Sequence, residues 1–302
     1  MISSLNSVNQ AFVNSVDQIS NQLNTDQIEM TSGLKMQQPS DAPDQVSELL
    51  QARAALATSQ QISTNLSSVS TEVNTAEQSL ESAVNLFTQV QTVAAEAATG
   101  TATASSRAQN AQELQSIEQQ MVGLANTSIQ GRYLFSGDSD QTQPYAYDST
   151  QPDPVSAYQG SASTREIQNP NGTTFAVALT AQQIFDSTDP STNIFTTINN
   201  LVTALQNNDQ TSLQSQVDGL SGVASYLNQQ LAFYGTTQDT ISEATNYGQT
   251  QQTQLQSEIS NLQDADETST ILDMTQAQTQ LQAALQSKAD IPQTTLFDIL
   301  QS

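Results

Sequence analysis

The chain has 302 residues, 36% hydrophobic and only 5% aromatic, a composition too thin for one thick globular core and suited to long helices sharing narrow apolar seams. Thirty acidic against six basic residues leave a formal charge of -24, which repels phosphate backbones and anionic lipid surfaces, so neither nucleic acid nor a membrane is an expected partner. There is no His and no Cys; Ser-His-Asp and Cys-His catalysis, disulfides and the usual zinc, haem and iron–sulfur ligand sets are excluded, and no cofactor or metal is expected.

No run approaches 18 consecutive apolar residues, so no membrane span is expected. The start, Met1-Ile2-Ser3-Ser4-Leu5-Asn6, lacks the basic and apolar regions of a cleaved Sec-type signal. The expectation is a cytoplasmic protein or one exported by a route that reads something else.

In chain order, the first element is an amphipathic helix with apolar residues at Leu5, Val8, Phe12, Val16, Ile19 and Leu23. This seam is narrow and needs a partner helix to be stable. Gly33, Pro39 and Pro43 interrupt it, and a helix is expected to restart near Pro43 with Ser40 or Asp41 as its cap. Next comes the strongest pattern: Leu66, Val69, Val73, Ala76, Leu80, Ala83, Phe87, Val90, Ala94 and Ala97 hold ten successive places of a 3.5-residue repeat, predicting a helix over 44–98 about 80 Å long. Gly100 interrupts, and a second helix runs through Ala111, Leu114, Ile117, Met121 and Leu124.

The character changes at Gly131. Arg132–Phe135, Ser163–Ile167 and Thr173–Leu179 read as strands, with Asn169-Pro170-Asn171-Gly172 as a hairpin turn. Helical spacing returns at Ile194, Ile198, Leu201 and Leu205, followed by a long frame from Leu213 to Leu262 with polar layers at Gln238, Thr245, Gly248 and Gln252. The frame slips at Asp264-Ala265-Asp266 and resumes with Ile271, Met274, Leu281 and Leu285; the tail Thr295–Leu300 is apolar again. The layout is symmetric about the insert, so the two terminal seams pair most simply as antiparallel helices.

No carboxylate cluster matches a known chemistry. Asp138-Ser139-Asp140 opens like a calcium loop, but Thr142, Gln143 and Ser149 stand where ligands and the turn glycine belong. Asp264 and Asp266, two residues apart, would face different sides of a helix. No glycine-rich segment leads to a lysine placed for phosphate. By periodicity alone, a soluble bundle or a cytoplasmic coiled-coil adaptor serves as well as a polymer subunit.

Four stretches shift that balance. Met30-Thr31-Ser32-Gly33-Leu34-Lys35-Met36-Gln37-Gln38-Pro39-Ser40-Asp41-Ala42-Pro43 resembles the amino-terminal signature of the flagellin superfamily, in the P-S-D-x-P form of its hook–filament junction branch. Gly131-Arg132-Tyr133-Leu134-Phe135-Ser136-Gly137 resembles the G-x-Y-x-F-x-G after that family's second helix. Tyr158-Gln159-Gly160 with Thr164-Arg165-Glu166-Ile167 resembles the opening of its β domain, and Asp264-Ala265-Asp266 with Leu281–Leu285 its carboxyl-terminal signature. Ala42 replaces a second Asp of the signature. Pro292-Gln293 is similar to flagellin itself, whereas Thr295–Leu300 follows the junction form, so flagellin stands as the alternative.

The resemblance implies a mainly α fold, with long antiparallel helical coiled-coil arms from both chain ends and a small β-rich domain inserted between them. The expected parts are an assembly helix and turn over 1–42, helical arms over 43–130 and 191–262, a β-rich insert over 131–190, and a second assembly helix over 263–302. It implies a secreted structural subunit of the bacterial flagellum, not an enzyme, which forms a junction ring after export with the help of a flagellar chaperone. Its partners would be copies of itself, hook-associated protein 1 below and flagellin above. The assembly interface would use Leu5, Val8, Phe12, Ile19 and Leu23 with Ile271, Met274, Leu281, Leu285, Leu296 and Leu300. Gly33, Pro39, Ser40 and Asp41 would shape the turn.

Overall fold

The computed structural model describes residues 2–289, with side chains over 9–289. The chain order is α1 (Ile2–Ser32), α2 (Val46–Ala97), α3 (Ala104–Ala125), β1 (Ser128–Ile129), β2 (Arg132–Tyr133), β3 (Glu166–Gln168), β4 (Thr174–Ala176), α4 (Ala181–Phe185), α5 (Ile194–Gln206), α6 (Gln210–Gln263) and α7 (Glu267–Ala289). The fold is mainly helical with a small strand region in the middle of the chain. Residues 1–58 with 252–302 form one compact unit and residues 59–251 another.

In the 59–251 unit the 3.5-residue seam is the backbone of the core. All ten positions from Leu66 to Ala97 are buried, none more than 6% exposed. Ser and Thr recur along the rest of α2, and their hydroxyls donate back to the carbonyl one turn earlier, as Thr64 does to Gln60 and Thr75 to Thr71, both at 3.0 Å. α3 packs along α5, burying Ala111, Leu114, Ile117 and Met121 with Ile194, Ile198, Leu201 and Leu205. Side-chain caps set the shorter helices: Thr103 accepts from Ser106 N, Asn193 from Thr196 N, and Thr180 forms a reciprocal capping box with Gln183. The polar layers of the long frame leave α6 unbroken from 210 to 263.

The insert is thinner in strand than the sequence suggests. β1 and β2 pair antiparallel through a two-residue turn at Gln130 (φ 53°) and Gly131 (φ 79°), the doubly left-handed turn that suits a twisted hairpin. β3 pairs with β4, Ile167 opposite Phe175, and Gly172 N donates to Asn169 O at 2.8 Å in the expected turn. One further rung, Leu134 N to Thr127 O, extends the first hairpin; beyond it the backbone bonds elsewhere, Tyr133 N donating to Asp140 O and Ala181 N to Phe135 O. An aromatic cluster fills the space. Phe135 meets Phe185 and Tyr234 edge-on, both at 6.3 Å, and Phe185 stacks on Phe195 at 5.9 Å.

Among the buried side chains of this unit without a hydrogen-bond partner, one is a carboxylate. Glu118 of α3 is 1% exposed, and neither carboxylate oxygen has a hydrogen-bond partner. Burial, followed by the charge of Asp153, pushes its carboxyl up to about 7. The Tyr147 hydroxyl opposes this only in part and donates to Gln115 O at 3.2 Å. α5, packed beside α3, contributes no titratable side chain.

In the other unit, α1 packs against α7. Lys288 lies over the Phe12 ring at 5.2 Å and donates to Asn9, while Thr270 donates to Glu29 at 3.4 Å. The start of each helix therefore meets the end of the other, the antiparallel arrangement the sequence implies. Among the described residues no helix is long and apolar enough to cross a membrane, and no group of His, Cys, Asp or Glu side chains is placed to hold a metal ion.

Candidate assembly site

The half-buried face of α1 presents Phe12, Val16, Ile19 and Leu23 and ends on Asp26, which is 3% exposed. Facing it, α7 presents Thr270, Met274, Ala277, Leu281 and Ala284, of which Thr270 and Ala277 are buried. Small and hydroxyl side chains thus hold alternate places in this seam. Gln22 donates to one carboxylate oxygen of Asp26 at 2.8 Å, and the other has no partner. Glu29 is displaced upward by burial and then by the charge of Asp26; Thr270 offsets part of the shift, and Asp273 and Asp41 add to it.

A tight turn follows α1. Gly33 adopts φ +70°, a left-handed conformation at the helix end that favours glycine. Leu34 pairs with Asp264, Lys35 N donates to Gln263 O at 2.8 Å, and Ala265 N to Gly33 O at 2.9 Å. Two of the chain's six cations clamp the same place: Lys35 Nζ donates to Asn261 O at 2.7 Å and Arg53 to Gln263 Oε1 at 2.6 Å. Asp41 accepts from the backbone N–H groups of Gln37 (2.9 Å) and Gln38 (2.7 Å), bonds that hold its carboxyl below the usual carboxylate range. It therefore shapes its own loop and does not cap α2, which begins at Val46 and not near Pro43. At the far side, Asp266 accepts from Thr268 N and Ser269 N and starts α7.

Residues 2–140 match the model of the bacterial flagellin N-terminal helical region. Flagellar hook-associated protein 3 of Escherichia coli strain K12 is 26% identical, with 90% of each chain covered; that of Salmonella typhimurium is 25% identical at the same coverage. The chain resembles hook-associated protein 3 almost end to end. The crystal structure of Bacillus cereus FlgL shares the fold, with a TM-score of 0.57 and 21% identity over 70% of this chain and 99% of that one.

Set beside hook-associated protein 3, the interface expected from sequence divides into three groups. Phe12, Ile19, Leu23, Met274 and Leu281 are half-buried within the α1–α7 pair. Ile271 (44% exposed) and Leu285 (53%) point away from it. Leu5 and Val8 belong to α1, but their side chains, like all of Leu296 and Leu300, lie outside the described residues. Gly33 and Asp41 shape the turn as described, while Pro39 and Ser40 are exposed on it. Sequence reasoning missed Met36 and Leu49, both buried beneath the turn, and the clamp formed by Lys35, Arg53 and Gln263. Lys35 and Arg53 offered a signal: cations are rare in this chain, and one lies inside the signature while the other follows it.

Proposed function

We propose that this chain is a structural subunit of the bacterial flagellum that forms the junction between hook and filament. The near end-to-end similarity to hook-associated protein 3 carries the reading. The α1–α7 pair is compatible with it: the pair leaves Val13, Ile28, Ile271, Leu272 and Leu285 exposed, side chains that a neighbouring subunit could cover. Subunits would be exported without a cleaved signal, escorted by a flagellar chaperone, and would assemble outside the cell with copies of themselves, hook-associated protein 1 and flagellin. Catalysis has no part in this role. Flagellin is the second reading, favoured by the family model over 2–140.

Immunogold labelling of isolated flagella distinguishes these readings. A junction subunit gives one band at the hook end, whereas label along the filament supports flagellin. Consistently, purified full-length protein should not grow long filaments, because a junction subunit must stop where a filament subunit propagates. Long regular tubes of this protein alone, under conditions that polymerise flagellin, would overturn the junction reading.

The assembly residues have their own test. Leu285→Asp alters an exposed side chain and should leave the subunit's unfolding curve unchanged while abolishing filament attachment and motility. Leu281→Asp should in addition loosen the α1–α7 pair by roughly 2 kcal/mol, because it places a charge in a half-buried seam. Normal motility in both variants would remove α7 from the interface.

A further inference from the structure

The β3–β4 hairpin turns through Asn169-Pro170-Asn171-Gly172, and nowhere else in the sequence does Gly follow Asn. Asn171, Gly172 and Thr173 are exposed, so water and base reach them freely. Gly172 has φ +90° and no Cβ to shield its backbone nitrogen. The Asn171 side chain is held by its oxygen: Oδ1 accepts from Thr173 N at 2.9 Å and from Thr173 Oγ1 at 2.6 Å, while Nδ2 has no partner among the described residues. Two donors on Oδ1 leave the amide carbon electron-poor and sit where negative charge gathers when that carbon is attacked. Gly172 N donates to Asn169 O at 2.8 Å. That bond must open before the nitrogen can attack, and the exposed tip of a two-stranded hairpin is a place where local opening costs little.

The tip is also a point of contact. A Cβ placed on Gly248 of α6 would lie 3.3 Å from Pro170 Cγ and 3.2 Å from Ser63 Oγ of α2, so the turn rests on α6 beside α2. Asn169 N donates to Thr173 O at 2.7 Å across the turn, and further along the same ladder Ile167, opposite Phe175, is buried in the core. The placing of Ile167 therefore depends on the number of backbone atoms in the turn.

We propose that Asn171 converts itself, in the folded protein, to a mixture of aspartate and isoaspartate, and that the isoaspartate form unseats the β3–β4 hairpin from α6. The backbone nitrogen of Gly172 attacks Cγ of Asn171 and gives its proton to solvent base. The Cγ–Nδ2 bond breaks, Nδ2 takes up a proton and leaves as ammonia, and a succinimide ring closes. Water then adds to one of the two ring carbonyls. Opening on one side restores an ordinary chain with a carboxylate at position 171. Opening on the other routes the main chain through the side chain and lengthens it by a CH2 group, which breaks the match between Asn169 N–H and Thr173 O. Neither route needs an oxidant, and both add a negative charge. Asparagines inside helices, such as Asn14 before Ser15 in α1, are protected, because the helix ladder holds the following N–H away from the side chain. The inference stands apart from the flagellar role.

The test ages the full-length protein in mildly alkaline water enriched in heavy oxygen, which the opening ring must take up, and maps the label by peptide mass spectrometry. Label is expected at position 171 at least about tenfold faster than at any other asparagine, because only there does glycine supply an unshielded attacking nitrogen. An isoaspartyl methyltransferase should methylate the aged protein at the same position. Asn171→Gln, whose longer side chain closes a ring less readily, should stay unlabelled there. Hydrogen exchange then reads the hairpin: amides over 167–175 should exchange faster in the aged parent, and should be unchanged in aged Asn171→Gln and in fresh Asn171→Asp, which adds the charge without the extra CH2. Label reaching other asparagines first, or none at 171, would overturn the site. Label at 171 with unaltered hairpin exchange would overturn the unseating, as would equal loosening in aged Asn171→Gln.

Discussion

Phe135→Ala is expected to destabilise the 59–251 unit by about 3–5 kcal/mol, the range for deleting a fully buried aromatic ring. Phe135 is completely buried and contacts Phe185 and Tyr234 edge-on. Its carbonyl also accepts from Ala181 N at 2.7 Å and the Tyr158 hydroxyl at 3.0 Å. The alanine variant keeps those backbone bonds and loses the ring, so the effect isolates packing. Neighbouring rings hold one another in place and have little room to collapse into the void, which pushes the loss toward the upper part of the range. Urea denaturation followed by tyrosine fluorescence measures it. A change below 1 kcal/mol would mean that the cluster repacks freely.

The second large effect has the opposite sign. Glu118 has a carboxyl raised from 4.5 to about 7 in the folded chain. Below pH 4.5 it is protonated whether folded or unfolded and has no pH-dependent effect. Between pH 4.5 and 7 the unfolded chain releases the proton and the folded chain keeps it, so stability falls as pH rises. Above 7 the full penalty is in place, on the order of 3 kcal/mol. Glu118→Gln retains the shape without the charge. It should match the parent near pH 4.5 and exceed it by about 3 kcal/mol at pH 8. Asp186 and Glu29 are also displaced upward by burial and titrate in both proteins, so the difference between the two stability–pH curves reports Glu118. Parallel curves would show that the ionised carboxylate is solvated in the folded state.

The long seam was legible because it is written in one alphabet. From Leu66 to Ala97 every seam place carries an apolar letter, and every one is buried. The terminal pair was only half legible. On α7 the contact face runs through Thr270, Met274, Ala277, Leu281, Ala284 and Lys288, a regular three-and-four spacing in which small and polar residues alternate with large apolar ones. A reading that follows large apolar residues picks Ile271 and Leu285 instead, which are exposed. Asp26 continues the Phe12–Val16–Ile19–Leu23 spacing in the same way, and Glu118 falls between Leu114 and Met121 on α3. Extending each frame through its polar letters would have found them. The clamp of Lys35 and Arg53 on residues 261–263 joins parts of the chain too far apart for any local pattern to pair.

That separation has a kinetic consequence. Lys35 and Asn261 are 226 residues apart in sequence. Bringing the ends of such a loop together while the chain between is unstructured costs about 5 kcal/mol of entropy, more than a narrow seam readily returns. Folding of residues 59–251 replaces most of that flexible loop with an ordered body, and the ends can then zip cheaply. The α1–α7 pair is therefore expected to form last, and a chain cut short before Glu267 has no α7 with which to form it. The joining of the two ends would then report completeness, since only a chain that reaches α7 can form the paired helices.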